Sequence, residues 1–189
     1  IKTGDQLWRV FSSKPIEELD VSETEREKIR QMLFYEPLPF VSRVVFISSP
    51  HRGSYLAGGF VRNLTRRLMS MSQNLVARSQ QALQLTQGSE AGDFFHGKMP
   101  TSLDGMSPKN PGLLTIADIA VSPAIKSHSI ISVEGDGDYH EGRDGVVAYS
   151  SAHQDYVASE FIVRSHHTCL NEPATIEEVR RILHEHLKQ

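Results

Sequence analysis

The chain has 189 residues, 39% of them hydrophobic and 23% charged, with a formal net charge of −3. That composition excludes a disordered chain, a coiled coil and a collagen repeat. No apolar run approaches the ~20 residues needed to cross a bilayer, and no basic field calls for nucleic acid. A single cysteine, Cys169, excludes an intrachain disulfide. The sequence opens Ile1-Lys2-Thr3, without an initiator Met, so it is expected to be part of a longer chain.

In chain order, Ser22 and Glu25 form a capping-box pattern ahead of Ile29, Met32 and Leu33. This predicts a helix over about 22–34, broken by Glu36-Pro37-Leu38-Pro39. Val41 to Ser48 contains the run Val44-Val45-Phe46-Ile47, the pattern of a strand buried on both faces of a parallel sheet. A turn-rich segment follows, Ser49-Pro50-His51-Arg52-Gly53-Ser54, where an α/β fold places ligand contacts. Between about 55 and 120, Leu64, Leu68, Met71, Leu75, Ala82 and Leu85 recur at helical spacing. The block is long for a connection between strands and reads as an inserted helical cap.

Ser127 to Val133 predicts a second strand, Gly135 to Gly145 a glycine-rich loop, and Glu160 to Val163 a third strand. Pro173 opens a last helix, with Ile176, Val179, Ile182, Leu183 and Leu187 assigned to one face. Three strands separated by long connections predict an α/β fold with parallel pairing. Three strands are few for such a sheet, which again points to a further portion elsewhere.

Two residues stand out by placement. Asp144 lies beyond the second strand and His167 just beyond the third. In a parallel sheet both belong to the carboxyl edge, where an Asp can orient a His that takes a proton from a nucleophile. The order acid-then-histidine is that of the α/β-hydrolases. Asp144-Gly145 is also ordinary turn composition, and a histidine after a strand is commonly a surface residue. Asp136-x-Asp138 lacks the glycine and glutamate of a calcium loop, where Glu141 and Val147 stand. No closely spaced histidine pair forms a zinc motif. Neither metal nor cofactor is expected. Cys169 reads as a small buried residue.

Several segments resemble known hydrolases. Ser49-Pro50-His51-Arg52-Gly53-Ser54 after a strand is similar to the Thr-Pro-His-Arg-Gly-Ser segment of serine lipases and esterases. Asp144-Gly145-Val146-Val147, followed by Tyr149-Ser150-Ser151-Ala152-His153, resembles the acid loop of α/β-hydrolases of the lipase and PGAP1-like groups. Val163-Arg164-Ser165-His166-His167 resembles their Val-Pro-Ser-Gly-His, with His166 where those proteins have Gly. The tail from Asn171 to Leu183 is similar to their C-terminal helix.

The resemblance implies the C-terminal half of an α/β-hydrolase, cleaving carboxylic esters of acyl or lipid-like substrates. It assigns the acid to Asp144 and the base to His167, and gives His51 and Arg52 as substrate-contact candidates. The Gly-x-Ser-x-Gly nucleophile elbow of such enzymes does not occur in the 189 residues. The nucleophile is therefore expected upstream of Ile1, and this chain alone is expected to be inactive. The strand at 41–48 would then present an apolar edge for self-association or for the upstream half. The alternative is a non-catalytic interaction or assembly module with hydrolase-like architecture.

Overall fold

The structure is a computed structural model that describes residues 3–34, 38–57, 86, 88–95 and 102–188. The helical stripe from Leu64 to Leu85 and the break at Glu36-Pro37 lie outside the described residues. The chain divides into two compact units, one of residues 1–37 and 57–119, the other of 38–56 and 120–189. The first 37 residues thus group with the segment read as an insertion.

The first unit contains α1 (Thr3–Phe11), α2 (Glu23–Leu33), α3 (Glu90–Phe95), α4 (Ser102–Gly105) and α5 (Pro111–Ala117). Its core is Trp8, Ile16 and Leu19, with Val21, Ile29, Leu33 and Phe34 packed around them. The capping box forms: Ser22 Oγ accepts the Glu25 N–H, and Glu25 Oε2 accepts the Ser22 N–H at 3.0 Å. Arg26 ties the loop before α2 to the helix, donating to the carbonyls of Ile16 and Leu19 at 3.1 Å each. Asn110 caps α5, accepting the Gly112 and Leu113 N–H groups.

The second unit contains β1 (Arg43–Ile47), β2 (Lys126–Ser132), α6 (Tyr149–Ala152), β3 (Ser159–Val163) and α7 (Pro173–Leu187). The strands form a parallel sheet in the order β1-β2-β3. The fold is mixed α/β. Ile130 and Ile131 of β2 are almost fully buried on opposite faces. One face packs Ile131 with Val133, Val147, Tyr149 and Ala152; the other packs Ile130 with Val163 and Cys169. Burying each isoleucine contributes roughly 2–3 kcal/mol.

One expectation is corrected. Every residue of β1 is half-buried rather than fully buried, because among the described residues β1 pairs with β2 alone. The apolar positions of α7 share one broad face, an arc of about 140°, but only one edge of it is buried. Ile182 is buried and Val179 packs on the sheet core. Ile176, Leu183 and Leu187 are 55%, 54% and 79% exposed. At 100° per residue, Thr175, Glu178 and Ile182 form the buried line, and Ile176, Leu183 and Leu187 lie about a third of a turn away from it.

His128 is buried in the middle strand. Its Nε2 lies against the Arg43 guanidinium, and Nδ1 is 2.7 Å from Ser159 Oγ. A guanidinium can only donate, so Nε2 is the acceptor and the ring is neutral with the proton on Nδ1. Burial pushes this imidazole below its ordinary value; the neighbouring Arg43 pushes it further, Glu185 opposes, Arg181 adds to the lowering and Glu178 opposes. The unfolded chain therefore takes up a proton near pH 6.5 that the folded chain refuses until lower pH. Folding stability falls as pH drops below about 6.5. His128→Gln is expected to flatten the pH dependence of the urea midpoint between pH 7 and 5. The corresponding change in the slope of unfolding free energy against pH is up to about 1.4 kcal/mol per pH unit; equal slopes in variant and wild type would refute it.

Candidate active site

The segment from Glu134 to Ala148 leaves β2 and is held closed by its own backbone. Glu134 N–H donates to Arg143 C=O at 2.9 Å, and Tyr149 N–H to Gly142 C=O at 3.0 Å. Arg164, beyond β3, donates to the carbonyls of Gly135 and Gly137 at 2.8 and 2.9 Å. Gly142 is required by crowding, since a Cβ there would stand 2.2 Å from Val133 Cγ1. Gly145 has φ +90°, a left-handed conformation that L side chains rarely adopt. That turn directs the next two N–H groups back toward Asp144.

Asp144 is 2% exposed. Its Oδ1 accepts the Val146 and Val147 N–H groups at 2.9 and 2.6 Å. Its Oδ2 accepts the Ser132 hydroxyl at 2.9 Å and His167 Nδ1 at 2.9 Å. Burial alone would raise this carboxyl, but the Val147 N–H, His167, the Val146 N–H and Ser132 together hold it below the usual carboxylate value. His167 is fastened a second time by its backbone N–H on Asp144 C=O at 2.8 Å. The Asp144 bond fixes the proton on Nδ1 and leaves Nε2 as the free lone pair. No described residue hydrogen-bonds Nε2. The His167 side chain is 36% exposed and borders a cleft of about 520 Å³ with Ile47, Thr168, Leu170 and Asn171.

The Asp144 carboxylate caps its own turn and also anchors His167. The neighbouring His166 does not compete for it. His166 is largely exposed and pairs with Glu134 at 2.6 Å.

His51 and Arg52 are not brought to this pair by any hydrogen bond. Arg52 donates to the carbonyls of His153 at 2.6 Å and Ser150 at 3.4 Å, and to Gln154 Oε1 at 3.5 Å. Ser151 Oγ donates to Gly53 C=O, and Ser54 Oγ to Val146 C=O, both at 2.6 Å. The Pro-His-Arg-Gly-Ser segment thus laces the loop carrying Asp144 to the end of β1. His51 packs edge-on against Phe46 at 4.6 Å, and burial, then Arg52, lowers its imidazole.

Sequence reasoning missed His153, which lies between two carboxylates: Nδ1 is 2.6 Å from Glu160 and Nε2 3.0 Å from Asp155. Burial opposes its protonation, but those two bonds raise it above the ordinary value. Asp138 accepts from the His140 N–H and ring at 3.0 and 2.8 Å, capping its own turn. Among the described residues no group of three His, Cys, Asp or Glu side chains could hold a metal ion.

Comparison with protein-family models, curated proteins and solved structures finds no match to this chain.

Asp144 carries a testable linkage. Its carboxyl is held low in the folded state, so its contribution is present above the unfolded value near 3.9 and lost as pH falls through the folded value. Asp144→Asn is expected to lower stability at pH 7 by about 1–3 kcal/mol. It is also expected to remove part of the acid destabilisation between pH 4 and 2. Chemical denaturation at pH 7, 4 and 3 checks both; parallel curves for variant and wild type would refute the linkage.

Proposed function

We propose that this chain supplies the acid and base of a serine hydrolase acting on carboxylic esters, and that the nucleophilic serine comes from sequence upstream of residue 1. One observation carries the reading. A buried carboxylate with all its bonds satisfied holds Nδ1 of a half-exposed histidine at 2.9 Å, and that histidine lines an open cleft. The sequence resemblance supports it, because the motifs for acid and base fall on these two residues.

In the mechanism, His167 Nε2 takes the proton of the serine hydroxyl as its oxygen attacks the acyl carbon. The imidazolium that forms is stabilised by Asp144 and returns the proton to the departing alcohol. Water then attacks the acyl-enzyme, gives its proton to the same nitrogen, and releases the carboxylic acid and the free serine. Ile47 and Leu170 make the cleft wall partly apolar, which suits an acyl or lipid-like substrate. The segment at about 55–120 is, on this reading, the cap insertion of such hydrolases.

β1 ends one edge of the described sheet. We propose that it takes a strand from the upstream half, or from a second copy when the chain is alone. Light scattering of the chain alone is expected to give dimers or larger species, and a clean monomer at high concentration would overturn this.

The test of the chemistry uses the protein in which this chain follows a Gly-x-Ser-x-Gly segment, with p-nitrophenyl esters as probes. His167→Ala and Asp144→Asn are each expected to lower kcat by about 10⁴-fold while circular dichroism still reports a folded protein. Wild-type turnover in both variants would overturn the assignment. A folded, inactive wild type would favour the non-catalytic module instead.

A further inference from the structure

Behind Asp144 lies a line of buried hydroxyls that the dyad does not explain. Ser48 Oγ is 2.5 Å from Ser132 Oγ and 3.6 Å from Cys169 Sγ. Ser132 Oγ is in turn 2.9 Å from Asp144 Oδ2, the oxygen that also receives His167. Ser48, Ser132, Asp144 and Cys169 are each no more than 3% exposed.

Proton counting fixes the polarity of this line. An ionised carboxylate can only accept, and a serine has one hydroxyl proton. Ser132 therefore gives its proton to Asp144, and the Ser48–Ser132 bond must take its proton from Ser48. The oxygen of Ser48 is left as an acceptor, toward the Ser132 N–H at 3.3 Å and the Cys169 thiol. Each hydroxyl is polarised by the next, and the line ends on the carboxylate.

The backbone is bent to make this contact. Ser48 follows β1 with φ +46° and is the one non-glycine residue at positive φ among the described residues. A parallel-sheet core is ordinarily filled by Val, Ile or Leu; an apolar residue at 132 would leave Oδ2 one donor short, and one at 48 would leave Ser132 Oγ without its donor. Strain and buried hydroxyls together point to a task for the pair beyond filling space.

We propose that Ser48 and Ser132 are positioning residues that hold Oδ2 of Asp144 in line with His167 and keep the carboxylate ionised. The proposal rests on the reading of Asp144 as the acid that orients His167. Neither serine touches substrate; Ser132 acts through Asp144, and Ser48 acts through Ser132.

The test follows the Asp144 carboxyl carbon by NMR across a pH titration of the 189-residue chain. Ser132→Ala is expected to raise the Asp144 midpoint by about one pH unit. Ser48→Ala and Ser48→Gly are expected to raise it by less, in the same direction. Ser132→Thr keeps a hydroxyl and should stay near the wild-type midpoint. Ser48→Gly removes the hydroxyl while relieving the left-handed backbone, so it carries the test if Ser132→Ala does not fold. A rise in thermal stability in Ser48→Gly with an unmoved Asp144 midpoint would overturn the proposal, as would an unmoved midpoint in Ser132→Ala. The titration needs no ester turnover, so failure of the hydrolase reading would show separately in the esterase assay.

Discussion

The second unit depends on keeping one carboxylate charged where water does not reach. An ionised carboxylate moved out of water loses far more free energy than one hydrogen bond returns. Asp144 meets this with two backbone donors on one oxygen and a hydroxyl and an imidazole on the other. Each donor imposes a condition on the chain. The two N–H groups require the turn at Gly145. The hydroxyl requires β2 to end in a serine rather than an aliphatic residue. The imidazole requires the chain to return after β3 with His167 close enough for its own N–H to reach the Asp144 carbonyl. The loop from 134 to 148 is therefore determined from both ends.

Parallel pairing explains why residues distant in sequence meet at one edge. β1, β2 and β3 run the same way, so the residues that follow each strand gather at the same end of the sheet. Ser48 follows β1, Asp144 comes from the loop after β2, and His167 follows β3. The Pro-His-Arg-Gly-Ser segment also leaves β1 at that end. Its hydrogen bonds go to residues 146–154, which makes it a brace for the acid loop. A motif beside a site can therefore owe its residues to holding the site together.

The strands and the acid–histidine pair were legible in the sequence because they rest on local signals. β-branched runs marked the strands, Asp-Gly marked the turn, and position beyond a strand marked the edge. What was not legible depends on neighbours brought by folding. The run Val44-Val45-Phe46-Ile47 reads as fully buried, but burial of a strand depends on what lies at its edge. The apolar residues of α7 fit one broad stripe by count, and only the angle of the helix on the sheet separates Ile182 from Leu183. A left-handed Ser48 leaves no trace in composition. Nor does His128, whose neutral state follows from Arg43, two residues along β1 from its register partner Val45.

The adjacent histidines show how far environment outweighs sequence. His166 and His167 are the same side chain one position apart, and each has its Nδ1 on a carboxylate. Glu134 is exposed, so its bond to His166 competes with water and is screened by salt. Asp144 is buried, its other bonds are satisfied, and rotation of its carboxylate would break several of them together. His167 is consequently held in one tautomer and one orientation, with its second nitrogen left without a hydrogen bond to any described residue. An imidazole fixed in that way is prepared to accept a proton at a defined point, while its neighbour remains a surface group.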